Sequence, residues 1–199
     1  MINLHFLMRK ALVVLFLLFF INESRSQSGE GSVTDAAGQS YKTIIFDIPL
    51  VGGVSVKREW MAENLNYKVD GSYCYSNEPA YCEVYGRLYT FEAAQSACPS
   101  GWRLPTVRDW EFLTSKYGGM NEASPSLRNG GESGMNLLLG GFGDPGEVFR
   151  QIGTSGNYWD SENRTSNTAG LITITETQDV FHGVIGNYHR NSVRCIKEY

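Results

Sequence analysis

The sequence is poor in the residues that mark whole classes of function. Lys and Arg number 17 against 21 Asp and Glu, and beyond residue 26 the longest basic run is the pair Lys57-Arg58. No basic stripe exists to follow a phosphate backbone, so nucleic-acid binding is excluded. Histidine is scarce, with three in all, of which His5 lies near the N-terminus and His182 and His189 in the body of the chain. His5 falls within the leader expected to be removed, which leaves two histidines and excludes a three-histidine metal site, and neither a GxSxG nor an HExxH pattern occurs. The longest apolar run, Ala11 to Ile21, has 11 residues, whereas a bilayer span needs roughly 20. No solenoid-length repeat is present. What the chain does have is 22 glycines and 4 Trp, 11 Tyr and 10 Phe, a composition that suits many turns around an aromatic core.

The apolar run follows Arg9-Lys10, and Ser24 and Ser26 place small side chains three residues and one residue before a cut ahead of Gln27. Residues 1–26 thus read as a secretory signal peptide. No cysteine lies near the cut to accept a lipid. The expected product is exported to the periplasm, cell surface or medium, with no stable membrane span after cleavage. Residues 27–32, rich in Ser and Gly, are expected to form a mobile lead-in without core contacts, and 33–199 a single domain.

Export makes the four cysteines readable as disulfides, with three connectivities open. The turn-like CYSNEPAYC segment favours Cys74–Cys82, which leaves Cys98–Cys195 to close a long loop. In the chain-entropy model the long bond contributes about 4–5 kcal/mol and the short one roughly 2–3. No Cys-x-x-Cys pair supports a zinc site instead.

Strands are expected at 41–48, 54–60, 148–152, 158–161, 171–177, 180–185 and 192–197, where β-branched and aromatic residues cluster. Thr90 is expected to cap a helix running to Cys98. Thr106 and Asp109 form a capping box for a second helix that Gly118-Gly119 stops. The Gly/Asn/Ser/Pro-rich stretch Met120–Gly146 is expected to be long loops around one apolar island. Together these elements indicate an α+β fold.

Several stretches carry a resemblance: VTDAAGQSYKT (Val33–Thr43), REWMAENLNY (Arg58–Tyr67), the run from Gly71 to Thr106 containing YGRLYTFEAA and ACPSGWRLPT, LGGF (Leu139–Phe142), GNYWDSE (Gly156–Glu162) and SVRCIKEY (Ser192–Tyr199). They are similar to the Fibrobacter succinogenes major paralogous domain, a family of exported bacterial domains, over almost all of residues 33–199. The family is similar in pattern to the C-type lectin-like fold. The resemblance therefore implies two helices with short antiparallel strands, long loops, and a disulfide from the first helix to the last strand, which supports Cys98–Cys195.

The same resemblance raises calcium, which C-type lectins hold with EPN or QPD and WND tripeptides. Asn77-Glu78-Pro79 and Trp159-Asp160 match neither. Oxygen donors for calcium exist at Asp144, Glu147, Asn157, Asp160, Glu162 and Asn163, so calcium is carried as a candidate cofactor and none is otherwise implied. Trp60, Trp102, Trp110 and Phe91 are assigned to the core, and Trp159 either packs under the loops or stacks on a sugar ring. The candidate ligand residues are Trp159, Asp160, Glu162, Asn163, Asn157 and Asp144, with Tyr188 and Arg190 from the Asn187–Asn191 tract. With no catalytic constellation and four structurally assigned cysteines, the expectation is a non-catalytic module that recognises a glycan or a cell-surface protein through Met120–Gly146 and Gly153–Asn167. The alternative is a structural or adhesive subunit of a cell-envelope or fimbria-like assembly.

Overall fold

The computed structural model describes residues 29–50, 52–177 and 179–199; the expected signal peptide lies outside them. Among these residues are twelve strands, arranged in two sheets, and four short α-helices. The first sheet is antiparallel, in the order β1 (Glu30–Thr34), β2 (Ser40–Pro49), β3 (Ser55–Met61) and β12 (Ile196–Glu198). The second runs β10 (Val180–Gly186), β9 (Thr168–Thr175), β8 (Ser155–Thr165), β11 (Asn191–Ser192), β5 (Leu88–Tyr89) and β4 (Ser72–Tyr73). Strand β6 (Gly140–Gly143) pairs with both β7 (Phe149–Ile152) and β8.

This architecture overturns the expected fold class. The domain is mostly β, and is not a C-type lectin-like α+β fold of two helices with short antiparallel strands and long loops. Strand β8 has 11 residues and occupies most of Gly153–Asn167, the segment expected to be a ligand loop. It pairs in parallel with β6 and β11. The misreading has a specific cause: Gly153 does form a turn, but Gly156 marks a close approach between neighbouring strands. A Cβ on Gly156 would lie 2.3 Å from the Leu138 carbonyl oxygen. The lead-in is corrected too, because Glu30–Ser32 pair with Ile44–Lys42 as part of β1.

The four helices are α1 (Pro79–Tyr85), α2 (Phe91–Ala97), α3 (Val107–Ser115) and α4 (Ser124–Leu127). Thr90 caps α2 through the Ala93 N–H, and the Thr106–Asp109 capping box forms on α3. Asp109 also accepts from Arg58 and Arg103, each at 2.9 Å. Burial alone would raise its carboxyl, but the bonds from Arg103, Thr106 and Arg58 hold it below the ordinary carboxylate value. Helix α1 was not expected. The intercysteine segment folds into a 3₁₀ turn (Tyr75–Asn77) and a helix whose first turn carries Pro79, where a missing N–H costs nothing.

Two apolar clusters fill the interior. One joins Phe46, Trp60 and Ile196 of the first sheet to Trp110 and Leu113 of α3 and Ile172 and Ile174 of β9. The other gathers Phe91, Tyr89, Trp159, Leu171, Val193 and Cys195. Strand β9 is thus buried on both faces. Of the expected core aromatics, Trp60, Trp110 and Phe91 are buried, while Trp102 is partly buried against the second cluster.

The single terminal strand expected at 192–197 is divided. Asn191–Ser192 belong to the second sheet and Ile196–Glu198 to the first, and Val193 to Cys195 cross between them. This crossing is fastened by Leu65 N–H to Val193 O and Met61 N–H to Cys195 O, each at 3.0 Å, and by the disulfide of Cys195 to Cys98. The second disulfide joins Cys74 to Cys82.

Candidate functional site

At the middle of that crossing sits Arg194, fully buried. Its Nε donates to Asn64 Oδ1 at 2.6 Å, its Nη1 to the carbonyls of Met61 (2.9 Å) and Met135 (2.6 Å), and its Nη2 to the Asn136 carbonyl (2.7 Å). Asn64 passes the link on, since its Nδ2 donates to the Tyr85 carbonyl at 2.8 Å. One guanidinium therefore ties together three chain segments: the end of β3, the 135–136 turn, and the C-terminus of α1. Burial lowers the Arg194 pKa to about 10, so the group is still charged at neutral pH and its hydrogen bonds are charge-assisted.

Gly86 lets the third segment approach. With φ at +72°, it ends α1 in a conformation that side chains avoid, and a Cβ there would lie 2.8 Å from both Asn64 Cβ and the Leu65 carbonyl oxygen.

These three segments and the start of β2 enclose a cleft of about 340 Å³, within the roughly 300–1,000 Å³ of small-molecule sites. Its polar lining is dominated by amides: Gln39, Asn64, Asn66, Asn129 and Asn136. Asn64 and Asn136 are structural, the latter in the left-handed region (φ 49°) with its Nδ2 on the Gly134 carbonyl. Gln39 and Asn129 are exposed and Asn66 half-buried, so their amides are available to an incoming group. Glu63 accepts from the Lys42 N–H at 2.7 Å, Glu83 is exposed, and the half-buried Tyr85 completes the wall. A second depression of about 500 Å³ shares Asn66, Cys82 and Glu83 with the first and adds Lys68, Tyr73 and Arg87.

The model of the Fibrobacter succinogenes major domain matches residues 56–197. The chain belongs to this family. No curated protein and no solved structure shows significant similarity to it. Within this member of the family, the match starts inside β3, yet Gln39 to Lys42, which precede it, form part of the cleft lining.

The residues singled out from sequence lie elsewhere, in three places. Trp159 is fully buried, its indole N–H donating to the Tyr89 carbonyl at 2.7 Å and its ring edge-on to Phe91 at 5.3 Å. It has no face for a sugar, so of the two roles read for Trp159 the structure shows packing, and its place among the ligand residues is corrected. Asp160 is also fully buried and is bonded to Arg164 and His182, each at 3.1 Å, while Glu162 pairs with the same Arg164. Burial raises the Asp160 carboxyl, partly offset by the Glu162 N–H, Arg164 and His182. Asn163 is exposed beside this network and Asn157 is buried with an unpartnered Oδ1.

Asp144 forms the third group, paired with Arg150 and 3.2 Å from His189 Nδ1. Arg190 lies over the Tyr73 ring at 3.9 Å, and Tyr188 is 56% exposed. The six oxygen donors considered for calcium do not converge: among the described residues no three His, Cys, Asp or Glu side chains form a set that could hold a metal ion. None of the candidate ligand residues lines the cleft. Asn64 and Asn66 stood in WMAENLNY, but the signal that could have singled them out, a buried arginine in SVRCIKEY, lies about 130 residues away.

Proposed function

We propose that this domain is an exported, non-catalytic module that binds a glycan in the amide-lined cleft. The observation that carries the reading is the lining itself. Carbohydrates present dense hydroxyl groups that both donate and accept, and primary amides do the same. The rim amides of Gln39, Asn66 and Asn129 offer such groups beside the Glu63 and Glu83 carboxylates, above a floor that Arg194 ties together. A rigid floor lowers the ordering cost of binding. Two disulfides, and the absence among the described residues of any helix long and apolar enough to cross a membrane, accord with export.

A glycan array screened with the full chain, in calcium and in chelator, tests this. The expected outcome is binding to a defined oligosaccharide class that the chelator does not change. An array without hits overturns the reading.

One observation favours the alternative of a structural or adhesive subunit. Edge strand β10 exposes Phe181 (50%) and Val184 (55%) on a seven-residue segment without Asp, Glu, Lys or Arg, the kind of edge that accepts another strand. Concentration-dependent oligomers in light scattering that Val184→Lys abolishes would support it, and a strict monomer would remove it.

A further inference from the structure

The two disulfides have different surroundings. Each bond joins a partly exposed cysteine, Cys74 or Cys98, to a buried one, Cys82 or Cys195, but Cys74 and Cys82 both line the second depression, whereas Cys195 is fully buried in the second apolar cluster and Cys98 packs against it. Arg87 stands over the first bond, with Nη1 3.6 Å from Cys74 Sγ and 3.5 Å from Cys82 Sγ. Ser72 fixes its orientation, accepting from Nε at its hydroxyl (2.9 Å) and from Nη2 at its carbonyl (3.0 Å). Among the described residues no carboxylate pairs with Arg87, and of the other charged groups in the depression Lys68 adds to its field and Glu83 opposes it.

We propose that Cys74–Cys82 is a thiol-exchange site, opened selectively by a dithiol reductant while Cys98–Cys195 stays closed. The attacking thiolate bonds to Cys74 Sγ, the more exposed sulfur, as the sulfur–sulfur bond breaks and its electron pair leaves on Cys82 Sγ beside the Arg87 guanidinium. The reductant's second thiolate then attacks its own sulfur in the mixed disulfide, expels Cys74 as a thiolate and departs as the oxidised disulfide. Two electrons pass to the protein, and the two cysteines take protons from water. Exchange is fastest when the leaving thiolate is stabilised, and a cation supplies this. The corresponding departure at Cys195 would place a thiolate in an apolar cluster. Opening the bond frees α1, which carries Cys82, Glu83 and Tyr85 of the cleft wall, while the long disulfide keeps the sheets joined. The exchange chemistry is independent of what occupies the cleft.

The test uses the full native chain with graded dithiothreitol, iodoacetamide quenching and peptide mapping. Cys74 and Cys82 are expected to be alkylated at least about tenfold faster than Cys98 and Cys195, and Arg87→Met is expected to slow their exchange on the order of tenfold, the effect of one hydrogen bond to a charged group. Arg87→Lys should restore part of the rate. A variant-free arm compares single thiols: 2-mercaptoethanesulfonate should react faster than cysteamine, with the gap closing as salt rises. Simultaneous reduction of both bonds overturns the proposal, and so does an exchange rate indifferent to thiol charge.

Discussion

Two polar regions of this domain use similar residues to opposite ends. On β8–β10, Asp160, Glu162, Arg164 and His182 satisfy one another, with the fully buried Asp160 carboxylate held by Arg164 and His182. Gly170 is built around that carboxylate, since a Cβ there would lie 2.1 Å from Asp160 Oδ2. Beneath the cleft, by contrast, the buried charge of Arg194 meets only neutral oxygens. Four of its five N–H donors go into positioning chain segments, and Gln39, Asn66 and Asn129 around them are left without such a task. A closed ion network spends its polar groups on one another, whereas a cation that organises neutral backbone leaves the polar groups around it open. The acids that look functional in sequence belong to the first kind.

The comparison breaks most visibly at Arg194. Arg194→Met would strand three buried acceptors and the part-buried Asn136 carbonyl, each buried one costing about 1–3 kcal/mol when left unpaired, so a loss on the order of 3 kcal/mol or more is expected in urea denaturation. A loss under about 1 kcal/mol would mean that the cation organises nothing.

Asn66→Ala acts on the cleft lining alone. Its half-buried amide lines both depressions, so affinity for an array-selected glycan is expected to fall about tenfold, one hydrogen bond's worth, with stability within about 0.5 kcal/mol of the parent.

Asp160→Asn sharpens the other side through pH. The folded Asp160 pKa is raised by burial above the unfolded value of about 3.9, so the folded state holds this proton more readily than the unfolded chain. Its stabilising contribution is full below the unfolded value and is lost as pH rises through the folded one. Melts between pH 3 and 7 are therefore expected to show Asp160→Asn gaining on the parent as pH rises. Asp109, held below its ordinary value, has the opposite sign: its contribution is present above the unfolded value and is lost as pH falls. Smallest of all, Glu162→Gln at a 36% exposed side chain should shift stability by less than about 1 kcal/mol and leave glycan binding unchanged.

Local signals were legible wherever local chemistry decides the structure. Thr90 and Thr106 announce two helix starts, the β-branched runs at 41–48 and 180–185 announce β2 and β10, and the long framework motifs announce the family. The fold class was not legible. Only 158–161 read as strand, with Asn157 and Asn163 as loop formers beside it, yet pairing along β9 draws both into an 11-residue strand. Tertiary pairing overrides local propensity there. Helix α1 was hidden because Asn77, Glu78 and Pro79 between two cysteines look like a turn, while the same Pro79 opens the helix. The cleft was hidden for a different reason: Asn64 acquires its role only when Arg194, distant in sequence, takes its oxygen and Tyr85 takes its amide.

The central claim is that ligand recognition belongs to the amide-lined cleft and not to the acidic network of β8–β10. The most direct test is a titration of the strongest array glycan into the ¹⁵N-labelled full chain, followed by amide chemical shifts. The expected result is a contiguous set of perturbations at residues 39–42, 62–66, 82–86 and 129–138, with β8–β10 unmoved. Perturbations centred on Asp160, Glu162, Arg164 and His182, with the cleft amides silent, would contradict it.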